Sequence, residues 1–201
     1  MMVSATAIQA RSKPPTRTWF DMKRGAYERT LMDQMRGLRY VVDEFRDAAQ
    51  RKRPLSCLDV GCAEGLIGME MAKAGASSVI GVEMVPERVA DATRLRGALP
   101  CQFVVANVAL YQPSAPYDVL LALSILHKLP NPSATLYRLV HSFCRRMVVI
   151  RLPPGGPVVI DPRSNNVPHN LDAVLQDLGF NLEHEVEGHL MEYIGVWRAR
   201  S

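Results

Sequence analysis

The residues best suited to chemistry are Asp59, Gly61, Gly65 and Glu83. The first three lie in Leu58-Asp59-Val60-Gly61-Cys62-Ala63-Glu64-Gly65-Leu66-Ile67-Gly68. There an apolar run ends at an acid, turns on glycines and resumes with helical character. In an open α/β sheet, a turn outside the carboxyl end of a strand is where a nucleotide-like ligand sits. Glycines at 61, 65 and 68 do not spell the G-x-G-x-x-G of a dinucleotide site, and position 63, where close approach to a pyrophosphate is needed, is alanine. No lysine follows Gly65, so a phosphate-cradling P-loop is excluded too. Gly61 frees the backbone for a sharp strand-to-loop turn. Glu83 follows Gly61 by 22 residues and ends a second strand-like run. A carboxylate there can accept from both hydroxyls of a ribose, and nicotinamide dinucleotide sites use the same device.

The spacing D-x-G-x-x-x-G after a strand resembles motif I of the class I S-adenosylmethionine (SAM)-dependent methyltransferases. The resemblance extends over about residues 55–198. It implies SAM as cofactor. Asp59 would accept from the ammonium of the ligand, directly or through water. Amides of the loop through Gly61, Cys62, Ala63 and Gly65, with the helix N-terminus behind them, would favour its carboxylate. Glu83 would hold the ribose. Asn107, with Val108, ends the third strand-like run and would meet the adenine amino group. Asn is also a general turn former. Met84 would pack on an adenine face. Leu121-Ala122-Leu123-Ser124-Ile125-Leu126-His127-Lys128-Leu129 resembles the family segment bordering the methyl donor and the acceptor pocket. That implies Ala122 and Leu123 against the cofactor and His127 near the mouth. An imidazole suits general-base work at neutral pH, which makes His127 the candidate catalytic residue. A histidine that only caps the next turn reads as readily. Methyl transfer from a sulfonium also needs chiefly in-line alignment in a dry pocket.

Absent motifs narrow the acceptor. The fourth strand-like run does not end in N/D-P-P-Y/F, which argues against methylation of amino groups on nucleobases. No Pro-Cys pair follows it, so a covalent cytosine mechanism is not supported. No Lys-Asp-Lys-Glu set for ribose methylation can be assembled. No Cys, His and Asp cluster has metal-ligand spacing, so no metal site is expected. The stretch from Tyr117 to His127 resembles both small-molecule O-methyltransferases of quinone biosynthesis and enzymes acting on the tRNA wobble uridine.

These residues need elements to position them. From about Arg24 to Gln50, Tyr27, Leu31, Met35, Leu38, Val42, Phe45 and Ala49 recur at steps of four or three, a helical stripe that Gly37 weakens. Arg51-Lys52-Arg53 and Pro54 close it. Strands are expected at Leu55–Val60, Val79–Glu83, Cys101–Ala106, Tyr117–Ser124, Met147–Leu152, and about Leu182–Glu187 and Met191–Arg198. Helices are expected at Leu66–Ala74, from Pro86 to Gly97, from Asn131 to about Cys144, and from Pro168 to Gly179. Asn107–Pro116 is too short and proline-bounded for a helix, and Pro153 to about Val167 reads as a loop. The fold class is therefore α/β: doubly wound, a mostly parallel seven-stranded sheet with a C-terminal antiparallel hairpin and helices on both faces. The expected organisation is a flexible basic arm over residues 1–23, a helical extension over 24–53 and a SAM-binding domain over 54–201. Trp19 and Phe20 end the arm and are expected to dock on the domain or a ligand.

A chain of 201 residues can bury a core without staples. No run of apolar residues is long enough to span a membrane. Met1 to Thr18 lacks the apolar core of a secretory signal, and the four cysteines read as reduced, buried thiols. A cytoplasmic location is the expectation. Charge is uneven: residues 1–53 carry 12 Lys/Arg against 6 Asp/Glu, and residues 54–201 carry 12 against 14. A basic end suits a polyanion, although on an amphipathic helix it also makes an ordinary solvated face. The reading is a SAM-dependent methyltransferase acting on a small-molecule acceptor. The alternatives are a tRNA methyltransferase docking through the basic extension, a non-catalytic SAM-binding scaffold, and an NAD(P)-dependent enzyme.

Overall fold

From Ser56 onward apolar runs rich in Val, Leu and Ile fold as strands, and most of those up to β5 are separated by amphipathic runs that fold as covering helices. The computed structural model describes residues 31–160 and 168–200. The expectations for the 1–23 arm, for Trp19 and Phe20, and for the start of the 24–53 extension lie outside those residues. So does part of the expected Pro153–Val167 loop.

The elements are α1 (Arg39–Gln50), β1 (Ser56–Val60), α2 (Leu66–Lys73), β2 (Ser78–Glu83), α3 (Pro86–Leu95), β3 (Cys101–Val105) and β4 (Tyr117–Leu123). They continue with α4 (Pro132–Phe143), β5 (Cys144–Leu152), β6 (Val158–Ile160), β7 (Pro168–Asn170), α5 (Leu171–Asp177), β8 (Phe180–Glu187) and β9 (Tyr193–Ala199). Seven strands form one sheet in the order β3-β2-β1-β4-β5-β9-β8. Strands β3, β2, β1, β4 and β5 are mutually parallel. Strand β9 runs antiparallel to both β5 and β8, so the closing pair is the hairpin that the short connection requires.

The strand period of two sorts the core into two layers. Val119, Leu121 and Leu123 of β4 face the side covered by Leu38, Val41, Phe45, Met69 and Ala92. Leu120 and Ala122 face the opposite side, where Leu136, Leu139, Leu171 and Trp197 pack. Both layers are closed to solvent, as a parallel sheet covered by helices requires.

Four local expectations are revised. The N-terminal helix is interrupted: residues 31–35 are helical, a turn follows, and α1 starts at Arg39. Gly37 takes φ +78° there. Strand β5 begins at Cys144, three residues before the expected Met147, and directly continues α4. The Pro153–Val167 stretch contains β6, which pairs with β7 as a small separate ribbon. Pro168 therefore opens a strand, and α5 starts at Leu171 with Asn170 as its N-cap, its side chain accepting from the Ala173 amide.

Candidate functional site

The carboxyl ends of β1, β2, β4 and β5 open onto one cavity of about 640 Å³. In a doubly wound sheet this is where ligands bind, and the size is ordinary for a small-molecule site. Asp59, Gly61, Cys62, Ala63, Glu83, Met84, Asn107, Val108 and Leu123 line it, as the sequence leads one to expect. Three expected residues do not. Ala122 points into the opposite core layer, because neighbours along a strand cannot share a face. Gly65 packs against Phe103: a Cβ added there would stand 2.3 Å from the ring. His127 sits in a 3-10 turn, Leu126–Lys128, in which Ile125 and Lys128 face the cavity. Residues three apart eclipse in such a turn, which turns His127 elsewhere. Its Nδ1 is buried without a hydrogen-bond partner among the described residues, and burial lowers its pKa, with Lys128 adding to the effect.

Glu83 is the most heavily bonded acid of the site. Its Oε2 accepts from the Ala63 amide at 3.1 Å. Its Oε1 accepts from the amides of Met84 at 2.8 Å and Val85 at 3.0 Å. One carboxylate thus ties the glycine loop to the start of α3 and keeps lone pairs for a further donor. The loop's own amides are mostly engaged. Gly61 and Cys62 donate to the Val82 carbonyl at 2.7 and 3.1 Å, and Gly65 donates to Cys62 at 2.8 Å.

Asp59 is buried, with the backbone of Gly68 beside it. Burial raises its pKa to about 7; the Gly68 backbone and the charge of Arg151 oppose the rise, and Glu83 adds to it. No salt bridge to Asp59 forms among the described residues. A buried acid without a direct cation partner suits the ammonium of a ligand. The Cys62 thiol is pushed up by burial above all and is no nucleophile.

The sequence reading missed the other end of the cavity. Arg151 ends the apolar run of β5, is buried, and lines the cavity. Its guanidinium donates to the Gln34 carbonyl, which ties residues 31–35 to the sheet. Its Nε stands 3.6 Å from Glu192 Oε2. Burial depresses the Arg151 pKa, against the charges of Glu192 and Asp59. Ser124 Oγ lies 3.5 Å from Glu192 Oε1. Asp33, Gln34, Lys128 and Leu129 complete this end. A lone arginine in Met-Val-Val-Ile-Arg-Leu was the available signal, since an isolated charge in an apolar strand is costly unless used. Ala63 and Ser124 on the cavity wall adopt positive φ, 49° and 56°. Such strain at non-glycine residues gathers at functional sites.

Comparisons with known proteins agree with this geometry. Residues 57–146 match the family profile described as a methyltransferase domain. A magnesium protoporphyrin IX methyltransferase from Synechocystis PCC 6803 with bound SAM superposes with a TM-score of 0.64 at 18% identity, over 94% of this chain and 87% of that one. A 1,6-didemethyltoxoflavin-N1-methyltransferase from Burkholderia thailandensis does so with a TM-score of 0.59 at 19% identity, over 88% and 84%. At these identities the likeness is one of fold. Among curated proteins, a ubiquinone biosynthesis O-methyltransferase of Aliivibrio fischeri (strain ATCC 700601 / ES114) is 27% identical over 161 residues, 78% of this chain and 62% of its own length. That of Pseudomonas entomophila (strain L48) is 30% identical over 138 residues, 67% and 53%. The chain thus spans about half to three fifths of these relatives.

Proposed function

We propose that this chain, whose residues 57–146 match a methyltransferase-domain profile, is a class I SAM-dependent methyltransferase that methylates a hydroxyl group of a small-molecule acceptor. The observation that carries the reading is the division of the cavity. Acids for a nucleoside and an ammonium stand at the ends of β1 and β2, and a separate polar and apolar end lies beyond β4 and β5.

The residues fit the cofactor. Asp59 would hold the ammonium, Glu83 the ribose, and Asn107, Val108 and Met84 the adenine end. When bound, SAM supplies an electrophilic methyl group on a sulfonium. Because β2 and β3 lie on one side of β1 and β4, β5 and β9 on the other, the nucleoside side fixes the reactive side. The acceptor enters past Leu123, Ser124 and Ile125. Three apolar residues there, Leu123, Ile125 and Leu129, exclude water and suit a ring. The O-methyltransferase relatives support oxygen as the accepting atom.

A small acceptor is favoured over RNA by the charges. Asp33 and Glu192 stand with Lys128 and Arg151 at that end, which makes it mixed rather than basic. In the described part of the N-terminal helical region, Arg39 and Arg46 pair with Asp43, and Arg51 pairs with Asp47. No helix among the described residues is long and apolar enough to cross a membrane. The four cysteines are free thiols, which suits the reducing, cytoplasmic setting proposed for the protein.

The test is transfer from SAM with a labelled methyl group into a cell extract split into small-molecule and RNA fractions. Label is expected in the small-molecule fraction. Label confined to tRNA, or label in neither fraction, would refute the proposal.

A further inference from the structure

Among the described residues, Glu192 is the one acid at the acceptor end whose carboxylate is held loosely enough to take a proton from a bound molecule. Glu83 already accepts three amide bonds. Asp59 lies at the cofactor end under Gly68, and Asp33 has a partner of its own. Among the described residues the Glu192 carboxylate has only long contacts: 3.6 Å to Arg151 Nε and 3.5 Å to Ser124 Oγ. Its side chain is 28% exposed, so it stands at the wall, neither buried nor free in solvent. Its place is built. Leu190 and Met191 take consecutive left-handed conformations, φ 55° and 61°, immediately before it. Two such residues in a row are costly, and they deliver Glu192 to the start of β9, where Ile194 pairs with Arg151.

We propose that Glu192 is the general base of the reaction, taking the proton of a phenolic hydroxyl on the acceptor, with Arg151 as the residue that aims it. The inference rests on the methyltransferase reading above and deepens it. The hydroxyl oxygen of the acceptor passes its proton to a Glu192 oxygen and its lone pair to the methyl carbon. The electrons of the old carbon–sulfur bond leave with sulfur, giving S-adenosylhomocysteine and a methyl ether. Protonated Glu192 then releases its proton to water. Ser124 can donate to the second Glu192 oxygen, and Leu123, Ile125 and Leu129 offer the ring an apolar wall. His127, off the cavity wall, has no part in the step. Charged and titratable groups around Glu192 are Arg151, Asp59, Lys128 and Asp33 on the cavity side. Glu185, Glu187 and Tyr193 line a smaller concavity on its other side.

The probes are catechol, neutral near pH 7, and 4-nitrocatechol, largely ionised there, each with the wild-type protein and Glu192→Gln. Binding of S-adenosylhomocysteine should be unchanged in Glu192→Gln, which checks the fold and the cofactor end. Transfer to catechol should fall about 100-fold or more, and transfer to the hydroxyl of 4-nitrocatechol para to the nitro group by less than about tenfold, because that oxygen arrives already ionised. A second readout needs no turnover. With S-adenosylhomocysteine present, the visible absorbance of bound 4-nitrocatechol reports its ionisation. Its bound pKa should drop in Glu192→Gln, since a negative charge is lost and Arg151 is left unpaired. Equal losses on both probes, no loss on either, or an unmoved bound pKa would overturn the proposal. So would a wild-type protein that binds S-adenosylhomocysteine yet methylates neither probe. Failure to bind S-adenosylhomocysteine at all would instead remove the methyltransferase reading, and the proposal with it.

Discussion

At the scale of the residue, Asp59 shows how function sets the stability of this fold. Burial holds its pKa at about 7, well above the ordinary carboxylate range. Between about pH 4 and pH 7 the unfolded chain has released this proton while the folded one keeps it, so stability falls as pH rises through that window. The gap is worth at most about 4 kcal/mol. Asp59→Asn keeps an oxygen beside the Gly68 backbone and removes the titration. Thermal melts of the ligand-free protein should therefore show Asp59→Asn more stable than wild type at pH 8, with the two converging towards pH 4. A cationic ammonium has the opposite linkage: it favours the ionised form. S-adenosylhomocysteine should bind wild type more tightly as pH rises through about 7, releasing protons, and the dependence should vanish in Asp59→Asn. A variant less stable than wild type at pH 8 would place the burial cost of Asp59 elsewhere. The acids at positions 59 and 83 were legible in the sequence because each ends an apolar run. Arg151 and Glu192 were not, because their meeting depends on β9 pairing with β5 across the hairpin, which no local pattern encodes. His127 was misplaced for a local reason, the three-residue period of a 3-10 turn.

At the scale of the element, the strand-to-helix turn after β1 is held from within before any ligand arrives. Gly61 and Gly65 adopt φ 74° and 73°, and the side chain of Glu83 closes the loop onto β2. Gly65, expected among the loop residues that meet the ligand, packs against Phe103 instead. Gly65→Ala should destabilise the protein by about 2 kcal/mol or more, from both the left-handed backbone and the ring contact. Gly97→Ala, at φ +54° with nothing within 4 Å, should cost about 1 kcal/mol from backbone alone. Urea unfolding of the two variants measures the difference, and equal losses would mean that Phe103 yields freely. Helix and strand types were readable from periodicity over nearly the whole described chain. The errors gathered where local signals compete. Proline at 168 looks like a helix start yet fits the first residue of a short edge strand. The continuation of α4 into β5 has neither glycine nor proline to mark it.

At the scale of the whole molecule, the sheet order 3-2-1-4-5-9-8 divides the work across β1. Glu83, Met84 and Asn107 line the cavity on the β2 and β3 side, and Leu123, Arg151 and Glu192 line it on the β4, β5 and β9 side; in the proposed function the first side holds the nucleoside and the second the acceptor. Residues 31–50 belong to the second side as much as to any extension. Leu38, Val41 and Phe45 are fully buried in the core, and Arg151 fastens the Gln34 carbonyl beside the cavity. Arg198 bonds Glu183 at 2.6 Å and reaches Tyr40 and Glu44 at 3.2 Å, joining α1 to the β8–β9 edge. The described part of the 24–53 segment, expected from its apolar stripe to be a helical extension, thus packs into the core. The central claim is that the cavity at the strand ends holds a SAM-type nucleoside through Asp59 and Glu83. Isothermal titration of S-adenosylhomocysteine into wild type and Glu83→Gln, at pH 8, tests it most directly. One site per chain is expected in wild type, and an affinity at least about tenfold weaker in Glu83→Gln, the scale of one lost charge-assisted hydrogen bond. No heat of binding to wild type at millimolar ligand, or equal affinity in the two proteins, would contradict it.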